Sequence, residues 1–222
     1  MRLASGLAAL LTVCWALLML CKLSYPPPHV FHHHIDSPVL AIELASNVSE
    51  ADAVLKKNST AIETLHLNTT LDLVFIPLYA TYLVLAGRLF GARLAVILPL
   101  TIVAAIADYF EDYFIYQSLK FAPPQQFVPS IIKWATLGIV FAVIGVAMLR
   151  TVTTIYPALV RKILGVAHLA AAALILVAAG FGRTIGYGYS PIELANLIFG
   201  LTVVANAIGL LWPRASRSPR SS

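Results

Sequence analysis

Residues 94–116 read LAVILPLTIVAAIADYFEDYFIY, and this stretch decides the fold. At a rise of ~1.5 Å per residue it is long enough to cross the ~30 Å hydrocarbon core of a bilayer. Residues 94–107 carry no charge, and then Asp108, Glu111 and Asp112 arrive together. Spacings of three and four put all three acids on one helical face. A helix apolar all round except for one acidic stripe reads as a membrane span whose stripe faces protein or water, not lipid. Five more runs of spanning length lie outward from it, at about 4–21, 69–87, 129–149, 163–181 and 191–212. The expected class is therefore an all-α, polytopic transmembrane helical bundle of about six spans. Composition agrees. The 222 residues are 59% hydrophobic and 11% charged, with a mean hydropathy of +0.85. A soluble domain carries roughly 25% charged residues. Lipid removes the need for that polar surface, because a spanning helix satisfies its own backbone.

Basic residues in the short loops predict the orientation. Arg2, Arg88, Arg93, Arg150, Arg161, Lys162, Arg214, Arg217 and Arg220 all fall on one side of a six-span bundle. Lys22, Lys56, Lys57, Lys120 and Arg183 fall on the other, over longer segments. Both termini are thus expected in the cytoplasm. The net charge of +5 is a topology signal, not a nucleic-acid signal. The first run, with Arg2 ahead of it, reads as a retained anchor, because no small-residue cleavage site follows. The chain divides into an N-terminal anchor over 1–23, an external cap over 24–68, a five-span bundle over 69–212 and a basic tail over 213–222.

The cap segment predicts short helices. Ser37 with Pro38 is a helix start that opens PVLAIELA, a short apolar helix expected on the membrane surface. Ser49 with Asp52 is a second start, and Thr60 with Glu63 a third whose helix runs toward the next span. His32, His33 and His34 stand in a loop tract. Consecutive histidines cannot all face one ion in regular structure, so no metal site is assigned. His168 reads as a helix-packing residue. Cys14 and Cys21 lie two turns apart on one helix, too far for a disulfide. The sequons at Asn47, Asn58 and Asn68 read as chance occurrences.

Placing the spans brings intramembrane charges to one level. Asp108 lies ~22 Å along its helix from Arg93. Asp72 opens one span from the outer side, Lys133 lies early in another, and Glu193, Asn196 and Arg183 stand at outer ends. Glu193 and Arg183 read as groups that snorkel to the headgroups. Asp72, Asp108, Glu111, Asp112 and Lys133 remain as the candidate ligand- or ion-binding residues. Acids outnumber bases at this level, so protons, a cation or a water-filled vestibule must balance them.

The stretches NTTLDLVFIPLYATYLV, LAVILPLTIVAAIADYFEDYF and IIKWATLG resemble a loosely defined, functionally uncharacterised group of small bacterial multi-span membrane proteins. That pattern has an acid opening one span, D-x-x-E-N late in the next and a lysine in the one after. Asp72, Asp108, Glu111 and Lys133 match it, and Asp112 stands where the pattern has asparagine. The resemblance covers about residues 37–150. It implies a bacterial inner-membrane location and these positions, but no activity and no cofactor.

Three function classes follow. The first is a binding or transport protein for a cation, a proton or a small amine ligand. The second is an accessory or assembly subunit with a membrane protein partner. The third is a membrane-embedded lipid-modifying enzyme using paired carboxylates. The bilayer is the expected environment in each, and nucleic acid is not a partner.

Overall fold

The computed structural model describes residues 2–23, 35, 37–55, 59–118, 125–151, 156–181 and 191–211. These residues form eight helices: α1 (Arg2–Leu23), α2 (Pro38–Glu43), α3 (Val48–Leu55), α4 (Ser59–Leu89), α5 (Leu94–Ser118), α6 (Phe127–Arg150), α7 (Ala158–Phe181) and α8 (Pro191–Leu211). No strand occurs among the described residues. Four helical stretches are long and apolar enough to cross a membrane: Ile62–Leu89, Leu94–Ser118, Phe127–Arg150 and Ala158–Ala179. Shorter apolar stretches lie at Ala9–Leu18 and Pro191–Ala205.

The six long helices close into a ring. Helices α4, α5, α6, α7 and α8 pack in chain order, and α1 lies between α4 and α8. Helix α5 shows why this arrangement suits lipid. Its acids, with Ile97, Thr101, Ala104 and Ala107, are buried, while Ile102, Ile106, Phe110 and Tyr113 point outward. In water such an apolar outer surface would drive association. Against acyl chains it costs nothing, so the described helices fit an integral membrane protein.

Small residues set the closest helix contacts. A Cβ at Gly145 would lie 2.9 Å from the Gly165 carbonyl oxygen, and one at Gly165 would lie 3.1 Å from the Gly145 carbonyl. The α6 and α7 backbones therefore meet directly, as small residues permit. The α4–α5 turn needs glycine for a different reason. Gly91 has φ +84°, the left-handed region that a Cβ disfavours. Ala92 N–H donates to Gly87 O at 2.8 Å and Gly91 N–H to Arg88 O at 3.1 Å. This is a Schellman closure of the helix end. At the same end of the ring, Tyr156 stacks on Phe90 at 6.0 Å between ring centroids. Burial pushes the Tyr156 phenol up to about 12.

The start expected at Ser49 lies two residues earlier. Asn47 Oδ1 accepts the Glu50 N–H at 2.9 Å, and Glu50 Oε2 reaches back to the Ser46 N–H at 2.8 Å. Asn47 outcompetes Ser49 because its side chain caps the Glu50 N–H while Glu50 reaches back to Ser46, a displaced form of the capping box, whereas Asp52 is shorter than glutamate. The start at Ser37–Pro38 is as expected, and α2 is a helix of six residues. Helix α4 runs unbroken from Ser59 through Pro77 to Leu89, so the third start and the following span are one element.

Candidate site: a buried lysine among carboxylates

Five elements deliver polar groups to one end of the ring. Antiparallel order explains this: α4, α6 and α8 begin at this end, and α5 finishes there. Lys133 stands two turns into α6, near the level where Asp108, Glu111 and Asp112 complete α5. Lys133 Nζ lies 2.6 Å from Glu111 Oε2, 3.0 Å from Asp108 Oδ1 and 3.2 Å from Glu43 Oε2. An ammonium carries three N–H donors, and three carboxylates stand within ion-pair distance of it. Lys133 is 4% exposed and Glu111 0%. The pairs are thus removed from solvent, where each is worth far more than on a surface.

Neighbouring groups hold these side chains in place. Tyr79 of α4 donates its hydroxyl to Asp108 Oδ2 at 2.8 Å. Trp134 donates its indole N–H to Glu43 Oε2 at 3.1 Å. Helix α2 is clamped at both ends. Glu193 of α8 accepts the Ser37 N–H at 2.8 Å. At the C-terminal end, Gln126 Nε2 donates to Ile42 O and Ser130 Oγ to Glu43 O, each at 2.8 Å. Residues 126, 130 and 134 recur at one-turn spacing from the N-cap of α6, so one face of that helix holds the C-terminal end of α2.

The sequence-derived residues separate into two groups. Asp108, Glu111 and Lys133 form the ion cluster. Asp112 does not reach the lysine. It stands ~100° around α5 from Glu111, and Asp72 is its strongest charged neighbour. Asp72 is half-buried and feels the charges of Asp108, Lys133 and Glu43. Neither Asp72 nor Asp112 is ion-paired to a base among the described residues. Glu111 Oε1 and Asp112 Oδ2 are buried and accept no hydrogen bond.

Glu43 is the member that sequence reasoning missed. It was read as part of a helix lying on the membrane surface, yet it is 4% exposed and ion-paired. The available signal was one acid in the middle of LAIELA, where an interfacial helix wants its charge on an outer face. Glu193, read as a snorkelling group, instead holds the first turn of α2. Arg183 and His32, His33 and His34 lie outside the described residues. His66 packs edge-on against Tyr116 at 4.9 Å, and His168 bonds the Leu164 carbonyl of its own helix at 2.8 Å. Asn68 is 6% exposed and faces the ring interior, not a glycosylation enzyme. Among the described residues, no three His, Cys, Asp or Glu side chains are grouped as metal ligands.

A cavity of about 100 Å³ adjoins the cluster inside the ring. Glu43, Asp72, Asp108 and Lys133 form its polar end, and Phe75, Trp134, Phe141 and Phe199 belong to its apolar wall. Chemically, the arrangement can take up positive charge. Among the described residues, Glu43, Asp72, Asp108, Glu111 and Asp112 stand against the single base Lys133.

Comparison with protein families, with characterised proteins and with solved structures finds no match to this chain.

Proposed function

We propose that this chain is a six-span protein of a bacterial inner membrane whose acidic site, facing the outer side, binds a cation, a proton or a small amine ligand. Helices α1 and α8 supply the fifth and sixth spans, since 22 and 21 residues reach ~33 and ~31 Å at ~1.5 Å per residue. The loop arginines support cytoplasmic termini. Helices α2 and α3 then form an external cap, and the resemblance to small bacterial multi-span proteins supports the location.

One observation carries the binding reading. Among the described residues, three buried carboxylates pair with Lys133, and Asp72 and Asp112 stand beside them with no base of their own. A net buried charge is too costly to persist, so neutralising positive charge must accompany the fold. Asp72, which lines the cavity, and the buried Asp112 behind it are the unpaired acids of the site, because Lys133 does not reach them. Isothermal titration of the full chain in lipid nanodiscs tests this, with ammonium and rubidium chloride as probes. Asp72→Asn and Asp112→Asn leave the lysine cluster intact and should weaken binding at least tenfold. Absence of binding to the wild-type protein, or equal binding by both variants, would overturn the proposal.

A second reading has its own support. Lys133 ties α2, α5 and α6 together, as a structural staple in an assembly subunit would. In that case Asp72→Asn and Asp112→Asn alter no binding, and a stoichiometric membrane protein co-purifies.

A further inference from the structure

An inorganic cation is satisfied by oxygen on most sides. Most of the wall of the cavity beside Lys133 is hydrocarbon, with Ser37, Asn68 and Asn196 as further polar lining. Glu43, Asp72 and Asp108 are its acids, and Trp15, Phe75, Phe141 and Phe199 belong to its apolar wall. Aromatic faces attract alkylammonium groups. A cavity of roughly 150 Å³ with apolar walls holds benzene, so about 100 Å³ suits a chain of a few carbons. Three carboxylates in the lining disfavour an anionic head. Behind the polar end, Glu111 Oε1 and Asp112 Oδ2 are buried without hydrogen bonds, leaving acceptor capacity unused.

We infer that the site is built for a small primary alkylammonium, its amine at Asp72, Asp108 and Glu43 and its hydrocarbon against the aromatic wall. The cluster already shows how it treats such a head: Lys133 is a primary alkylammonium with three carboxylate oxygens within 3.2 Å of its nitrogen. A second amine would repeat that scheme on the side of Asp72. The inference rests on the cation-binding reading above and specifies its ligand.

The test is a homologous series measured by isothermal titration on the full chain in lipid nanodiscs: ammonium, methylammonium, propylammonium, butylammonium and neutral n-butanol. Each buried methylene should raise affinity about fourfold until the cavity is full, and n-butanol should not bind. Ala195 is fully buried and lines the cavity. Ala195→Leu should abolish the gain with chain length. The wild-type series decides the matter by itself if that variant does not fold. An affinity that stays flat from ammonium to butylammonium, or n-butanol binding as well as butylammonium, would overturn this inference and leave a cation site standing. Binding of neither ammonium nor butylammonium would overturn both.

Discussion

Replacing Lys133 by methionine keeps the length of the side chain and removes its charge. Three carboxylates at 2.6, 3.0 and 3.2 Å then lose their common partner. At an effective dielectric of about 20, a unit pair 3 Å apart attracts by about 5 kcal/mol. Desolvation of the ammonium and mutual repulsion of the acids offset much of that sum. Removal of one partner from a buried pair costs about 3–5 kcal/mol, because the other charge stays buried. A native protein has only about 5–15 kcal/mol in hand. Lys133→Met should therefore reduce stability by about 3–5 kcal/mol, read as a fall in Tm in detergent micelles. The double variant Lys133→Met with Glu43→Gln removes one of the stranded acids and should recover 1 kcal/mol or more of that loss. A single variant within about 0.5 kcal/mol of wild type, or a double variant no better than the single, would refute the picture of Lys133 as the centre of a buried cluster.

Other consequences follow from neighbouring contacts. Trp134→Phe keeps the ring but leaves Glu43 Oε2 without its indole donor. It should cost about 1.5–3 kcal/mol by thermal unfolding and raise hydrogen exchange across residues 38–43. Gly145→Ala places a Cβ 2.9 Å from the Gly165 carbonyl oxygen, so the α6 and α7 backbones must separate. A loss of about 1–3 kcal/mol is expected, and an unchanged Tm would contradict the close crossing. Tyr156 supplies an alkaline test. Its folded pKa is raised to about 12 from 10.0 by burial, so the folded state holds its proton longer than the unfolded state. That contribution is complete below pH 10 and is lost as pH rises toward 12. After allowance for solvent screening it amounts to about 1–2 kcal/mol. Tyr156→Phe should remove this part of the alkaline stability loss, measured as the wild-type minus variant difference between pH 8 and 12.

Much of the site was legible because membrane physics makes charge rare. Asp108, Glu111 and Lys133 are conspicuous in apolar runs, and antiparallel spans place them at one depth by counting residues from the loops. Which acids meet the lysine was not legible. Asp108, Glu111 and Asp112 share a face at helical spacing, yet ~100° separates Glu111 from Asp112, and only the rotation of α5 against α6 decides which one turns to Lys133. Glu43 was hidden for another reason. It lies 90 residues before its lysine in sequence, on a six-residue helix whose apolar flanks equally suit a membrane surface. Docking of that helix depends on Gln126, Ser130 and Glu193, side chains with no periodic signature. The closed ring was also out of reach, because six similar apolar helices carry no record of which neighbours α1 chooses. The indole of Trp15 packed on Gly200 settles that choice through shape alone.

The most direct test is a crystal structure of the protein in lipid, soaked with a thallous salt as a heavy stand-in for ammonium. Anomalous density between Asp72, Asp108 and Glu43 is the expected result, with Lys133 still held by Glu43, Asp108 and Glu111. Asp72 and Asp112 paired to protein bases with no anomalous density at that site would contradict the account.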